Sequence, residues 1–197
     1  MKVLIACEYS GRVRDAFIAL GHEAMSCDLL PTDEPGPHYE GNVFDVIDQG
    51  WDLMIAHPPC TYLSNAGARH LFPKKFLNQE RYELGLEAKQ FFMRLLSCNI
   101  PKICIENPVP SSIFRLPKYH QVIQPYEFGH PFQKKTCLWL KNLPPLMATM
   151  YVQKQENTKV PGNWFNAGGK DRQKNRAKTF EGIANAMANQ WGNDDTP

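Results

Sequence analysis

Two short segments of this sequence combine residue types that perform chemistry: Pro58-Pro59-Cys60 and Glu106-Asn107-Pro108. Proline fixes its own φ, so a Pro-Pro pair after an apolar run predicts a rigid, strained loop that holds Cys60 open to a ligand. A thiol in such a loop suits a nucleophile, provided a neighbour lowers its pKa or protonates its adduct. Glu106 is the complementary group. A thiolate adding to a ring carbon, while a carboxylic acid protonates or hydrogen-bonds a ring nitrogen, activates an electron-poor ring. Cys7, Cys98, Cys104 and Cys137 lie instead in apolar runs and are expected to be buried packing residues.

Several elements must position these groups. Residues 2–7 are a compact apolar run, Glu8-Tyr9-Ser10-Gly11 is a turn, and Val13, Phe17, Ile18 and Leu20 recur at helical spacing before Gly21. A second short strand is expected over 23–28, a Pro/Asp/Gly loop over 31–37, a weak third strand over 39–43, and a stronger one over 51–57 that Pro58 ends. After a polar stretch at 61–73, helical spacing over 78–97 predicts a crossover helix, and the β-branched run 102–106 predicts another strand ending on a carboxylate. Residues 121–128 and 136–140 read as an antiparallel hairpin, 141–178 show little periodicity, and 179–191 read as a last helix. Alternating strands and helices predict an α/β fold whose sheet is mostly parallel. In open sheets of this kind ligands bind beyond the carboxyl ends of the strands. That rule selects residues 8–11, Asp28, 57–60 and 106–108. A helix N-terminus after Gly11 offers backbone donors, and Asp28 stands where a ribose-binding carboxylate falls, so the pair points to a nucleoside-containing cofactor. Each alone reads equally well as a plain turn or a solvated carboxylate.

With 197 residues, of which 43% are hydrophobic and 21% charged, one domain spanning 1–197 is expected. No apolar run reaches the roughly eighteen residues of a membrane span and no signal-peptide pattern opens the chain, which predicts a soluble, cytoplasmic protein without a membrane partner. Six cysteines without CxxC spacing predict reduced thiols and no metal site. The net charge of +2 conceals a polar molecule: residues 1–60 carry ten acidic against three basic side chains, and 133–178 carry ten basic against two acidic. Such a basic segment is either a solvated surface or a phosphate-contacting face.

The order and spacing of these motifs resemble the DNA (cytosine-5)-methyltransferase family. Pro58-Pro59-Cys60 followed by Leu63-Ser64-Asn65-Ala66-Gly67 is similar to its catalytic motif, Glu106-Asn107-Pro108 to its Glu-Asn-Val motif, and residues 8–11 to its Phe-x-Gly-x-Gly turn. Gly41-Asn42-Val43 resembles its adenine-contacting Gly-Asp-Ile, with Asp45 as a substitute carboxylate, and Gln133-Lys134-Lys135-Thr136 its base-contacting Gln-x-Arg-x-Arg, with lysine losing the planar fork of arginine. The final helix looks like the family's last motif. The resemblance implies a Rossmann-like class I S-adenosylmethionine-dependent methyltransferase fold and transfer to carbon 5 of a cytosine flipped out of DNA. It implies Cys60 as nucleophile, Glu106 at ring N3, and Lys135 or Lys134 on the base or a phosphate. It further implies cofactor contacts from Glu8, Tyr9, Ser10, Gly11, Asp28, Asn42, Asp45 and Pro58. Pro59, Ser64, Asn107, Lys134, Lys170, Arg172, Lys174 and Arg176 are the implied substrate contacts. Residues 141–178 stand as a short basic insertion where the family carries a target-recognition domain, as in compact phage or prophage proteins, and both monomer and homodimer stay open. Three other readings also stay open: an amino-group methyltransferase, an enzyme acting on RNA or a nucleotide, and a catalytically degenerate cofactor- or DNA-binding protein.

Overall fold

The computed structural model describes residues 1–155 and 177–193. Seven strands form one sheet: β1 Lys2–Ala6, β2 Glu23–Asp28, β3 His38–Glu40, β4 Leu53–Ala56, β5 Lys102–Pro108, β6 Gln121–Ile123 and β7 Thr136–Lys141, in the order β3-β2-β1-β4-β5-β7-β6. The first five run parallel, and β7 lies antiparallel between β5 and β6. Helices α1 (Arg12–Ala19), α2 (Asn65–Ala68), α3 (Gln79–Ser97) and α4 (Glu181–Trp191) complete the described chain, with short 3-10 turns between.

Both faces of the sheet are buried, as parallel strands require, and strand alternation divides the core in two. Val3, Ile5, Leu53 and Ile55 point to the face covered by α1 and α4 through Val13, Phe17, Ile183, Met187 and Trp191. Leu4, Ala6, Met54, Ala56, Ile103 and Ile105 point to the opposite face, where Phe92 and Leu95 of α3 pack with Trp139. The order of β1 and its neighbours makes the chain turn outward on either side of the β1/β4 junction, which opens a crevice at the carboxyl edge there.

Three expected segments differ in extent or kind. The third strand stops at Glu40, because the Asn42 side chain accepts from Phe44 N (3.1 Å) and turns Val43–Asp45 into a 3-10 helix. The run 121–128 is strand only to Ile123, since Pro125 lacks an N–H and a capping box between Gln124 and Glu127 starts a second 3-10 turn. The polar stretch 61–73 contains α2, whose N-terminus Ser64 caps through Gly67 N (3.2 Å). Backbone strain falls on Cys7, with φ 57°, and not on Cys60, which has no left-handed conformation. No helix of the described residues is long and apolar enough to cross a membrane.

Candidate active site

Register brings the first two functional groups together. Ala56 of β4 lies beside Ile105 of β5, so the next residues along, His57 and Glu106, meet at the carboxyl edge. His57 Nδ1 donates to Glu106 Oε2 at 2.9 Å, with the side chains 8% and 13% exposed. One residue further, the buried Asn107 donates from Nδ2 to the Pro58 carbonyl at 3.0 Å and ties the loop after β4 to the end of β5. Additional bonds hold that loop along its length: Ser64 N to Cys60 O, Asn65 N to Val109 O and Ser111 N to Leu63 O. From α3, Arg81 Nη2 donates to the carbonyls of Thr61 (3.1 Å) and Gly67 (3.2 Å), and its guanidinium lies 5.0 Å from the Tyr62 ring centre. Gly67 is obligatory here, because any Cβ would collide with the Thr61 carbonyl. Cys60, half-buried, thus sits in a loop held by hydrogen bonds from three elements, where the Pro-Pro pair was expected to suffice.

Glu106 is charged in this setting. Burial is the largest single influence and pushes its pKa up, but the His57 hydrogen bond, the Lys134 and His57 charges and a Thr136 hydrogen bond together outweigh it and hold the carboxyl below the ordinary range. Lys134 is therefore the lysine whose charge reaches Glu106, whereas the exposed Lys135 acts on Cys137. Burial keeps the neighbouring thiols protonated: Cys104, also raised by Glu106, lies well above its usual value, and Cys137 is pushed up to about 11.

Beside this edge lies a cavity of about 470 Å³, lined among others by Cys7, Asp28, Asn42, Pro59, Tyr62 and Phe91. Pro59, directly before Cys60, joins the cavity wall to the Cys60 loop. Asp28 accepts from Leu30 N at 3.0 Å, and burial raises its pKa against the lowering effect of backbone bonds and of His38 and His57. Cys7 was expected to be a packing residue; it stands in the cavity wall, and burial followed by the Asp28 charge pushes its thiol far up. Cys98 is likewise only partly buried.

Several expected cofactor contacts are placed differently. Glu8 is buried and accepts from Ser10 Oγ (2.9 Å), Val13 N (2.9 Å) and Arg14 N (3.3 Å). The donors of the α1 N-terminus, expected to be free for a ligand, are thus used by the chain's own carboxylate. Tyr9 and Ser10 are buried in that turn, and Gly11 takes the left-handed conformation (φ 75°) that starts α1; none of the three lines the cavity. Asn42 does line it, while Asp45 instead accepts from Tyr39 Oη at 3.1 Å. Pro58 stands behind Pro59 with its carbonyl committed to Asn107, and Ser64 is occupied as a helix cap. Lys170, Arg172, Lys174 and Arg176 lie outside the described residues.

Strand-end position selected His57 without assigning it a role, and residue types did not single out Tyr62, Arg81, Leu84, Glu87 or Phe91. Leu84, Glu87, Ala88 and Phe91 share one face of α3 at i, i+3, i+4 and i+7, and all four line the cavity. That spacing was visible, but a helix face by itself does not tell core from cavity.

No protein-family profile and no curated protein matches this sequence. Among solved structures, one presented as a DNA modification methyltransferase encoded within a prophage (E. coli) matches with 14% identity and a TM-score of 0.44, covering 78% of this chain and 52% of the other. The methyltransferase EhMeth of Entamoeba histolytica matches with 13% identity and a TM-score of 0.45, covering 79% and 57%. The chain spans a little over half the length of either protein.

Proposed function

We propose that this protein transfers a methyl group from S-adenosylmethionine to carbon 5 of cytosine in DNA through a covalent adduct on Cys60. The observation that carries the reading is the joint at the ends of β4 and β5: the Asn107–Pro58 bond leads the Cys60 loop away from the very edge where Glu106 stands charged beside His57. A packing role explains neither a charged carboxylate at that edge nor a polar, hydrogen-bonded loop around a thiol.

The cavity fits the cofactor in size and chemistry. Leu29, Val43, Leu84 and Phe91 give an apolar lining for a purine, and Asp28 at the end of β2 offers acceptor lone pairs to a ribose diol. When bound there, S-adenosylmethionine supplies the electrophilic methyl group that carbon 5 takes up. The chain's own groups do the rest. A cytosine extruded from the duplex, at a cost of roughly a few kcal/mol, enters beside Glu106. Cys60 Sγ forms a bond to carbon 6, and the displaced electron pair reaches N3, which holds a proton shared with Glu106. Because Glu106 is ionised in the free protein, that proton is taken up from solvent as the base binds; charge on Lys134 and the hydrogen bonds from His57 and Thr136 stabilise the carboxylate again once the proton has passed to N3. The carbon 5 proton then passes to water, its electron pair restores the C5–C6 double bond as the S–C6 bond breaks, Cys60 leaves as its thiolate, and N3 gives up its proton. Asn107 shapes the pocket wall, and Lys135 with the basic residues up to Arg176 is assigned to phosphates.

Incubation with labelled S-adenosylmethionine and duplex DNA, single strands or free dCMP tests substrate class, and 5-fluorocytosine DNA tests the adduct. We expect label on duplex cytosine carbon 5 and a trapped complex. Label on the amino nitrogen, or a trapped complex unaffected by Cys60→Ser, would refute the mechanism. With about four phosphate contacts, DNA affinity should drop about 10²-fold between ~50 and ~200 mM salt; a flat dependence would return the basic segment to solvated surface.

A further inference from the structure

We infer that His57 is a positioning residue, whose ring fixes the Glu106 carboxylate at the sheet edge and so presents its remaining lone pairs to the substrate. The inference rests on the cytosine reading of the site and adds to it a group that the Cys60 and Glu106 motifs do not contain. Parallel register puts His57 directly beside Glu106, and the 2.9 Å bond from Nδ1 to Oε2 joins two side chains that are nearly buried. A carboxylate accepts at about four lone-pair positions, so one bond from His57 fixes its plane without saturating it.

The rest of the ring is unlike that of a packing histidine. Nε2 is buried and has no hydrogen-bond partner among the described residues, so the bond to Glu106 is the ring's one hydrogen bond among them. Buried polar atoms are rarely left so, and each one that is calls for an explanation such as a role in a site. Facing a carboxylate, Nδ1 carries its proton in the neutral and in the charged ring alike, so the bond to Glu106 holds in both forms. Other charged and titratable groups surround the pair. Lys134 and Thr136 reach Glu106 from the β7 side, the thiols of Cys104 and Cys137 flank it while protonated, and Asp28 at the end of β2 feels the His57 charge. Lys134 supplies charge without fixing geometry, because an ammonium on a four-carbon stem is a point charge. His57 alone of these brings a flat, rigid donor on a β-strand end.

The test reads Glu106 itself. Carbon-13 NMR of glutamate side-chain carboxyls, with Glu106→Gln identifying the resonance, gives the titration midpoint in the wild type, His57→Leu and His57→Gln. We expect the midpoint to rise by about one pH unit in His57→Leu, and His57→Gln, which keeps an N–H donor without a titrating ring, to recover part of that rise. A midpoint that does not move in His57→Leu would overturn the assignment. On 5-fluorocytosine DNA, the alkaline decline of adduct formation should move upward with the midpoint, because a more basic Glu106 retains the shared proton to higher pH. A rate lowered equally at every pH, with the decline unmoved, would reduce His57 to packing. A wild-type protein that forms no adduct would refute the cytosine reading, while the carboxyl midpoint would still decide the pairing.

Discussion

Glu8 and Glu106 both stand at the carboxyl edge of central parallel strands, and both follow an apolar run in the sequence, yet their surroundings oppose one another. Glu8 is followed at once by α1, whose first N–H groups bind its carboxylate from Val13 and Arg14 while Ser10 Oγ adds a third bond. Its capacity is consumed by its own helix. Glu106 is followed by no helix: β5 continues to Pro108, and the nearest donors come from other elements, His57 at the end of β4 and Thr136 on β7. A strand-end carboxylate thus serves local structure when a helix start lies within reach, and stays available when only tertiary partners approach it.

The largest effect expected from this difference is at the thiol that Glu106 faces in the proposed reaction. Cys60→Ser should lower methyl transfer by about 10³-fold or more, since the oxygen nucleophile is far less reactive; full activity in a transfer assay would remove Cys60 from the chemistry. Glu106→Gln should cost about 10²- to 10⁴-fold in rate with a stability loss at neutral pH that is small beside it. Glu8→Ala should do the reverse. It is expected to lose about 1–3 kcal/mol of stability, measured by urea denaturation, with the activity per folded molecule largely kept. If Glu8→Ala left stability intact and removed cofactor binding, the contrast between the two carboxylates would fail. Asp28→Asn should weaken S-adenosylmethionine binding by about tenfold in calorimetry, the loss of one charged acceptor to a diol.

Acid gives the smallest and most selective effect. Because its partners hold Glu106 below the ordinary carboxylate range, ionised Glu106 contributes stability that is complete above the unfolded-state pKa and is lost only as pH falls through the lowered folded value. Wild type should therefore lose its advantage over Glu106→Gln progressively below the unfolded-state pKa, the last of it going only below the lowered folded value. Convergence of the two already near the ordinary carboxylate pKa would show that the His57 and Lys134 contacts do not act in solution.

Much of this was legible from residue order. Apolar alternation and run length identified β1, β2, β4 and β5, helical spacing identified α3 to within a residue, and Asp28 was correctly expected at the end of β2, whereas β5 was expected to end on Glu106 and runs on to Pro108. Those are local properties: a run of β-branched and apolar residues ending at proline reads the same in any context. The Glu8 turn was misread because a free helix N-terminus and a self-capped one have the same residues in the same order; the direction of one side chain separates them. Arg14 shows the same limit. Its guanidinium is fully buried and donates to Ser26, Thr32, Glu34 and Pro35, which fixes the loop after β2, although arginine is seldom placed inside.

Sequence by itself determined the kinds of group present and the edge of the sheet on which they emerge, because strand period and chain punctuation act over a few neighbouring residues. Tertiary structure alone decided which groups meet. Parallel register set His57 beside Glu106, Asn107 bound the loop of Cys60 to a strand 49 residues away, and one face of α3 closed the cavity over Asp28. Contacts of that separation depend on how the strands align across the sheet, and a slip of one residue would turn each of these side chains to the opposite face.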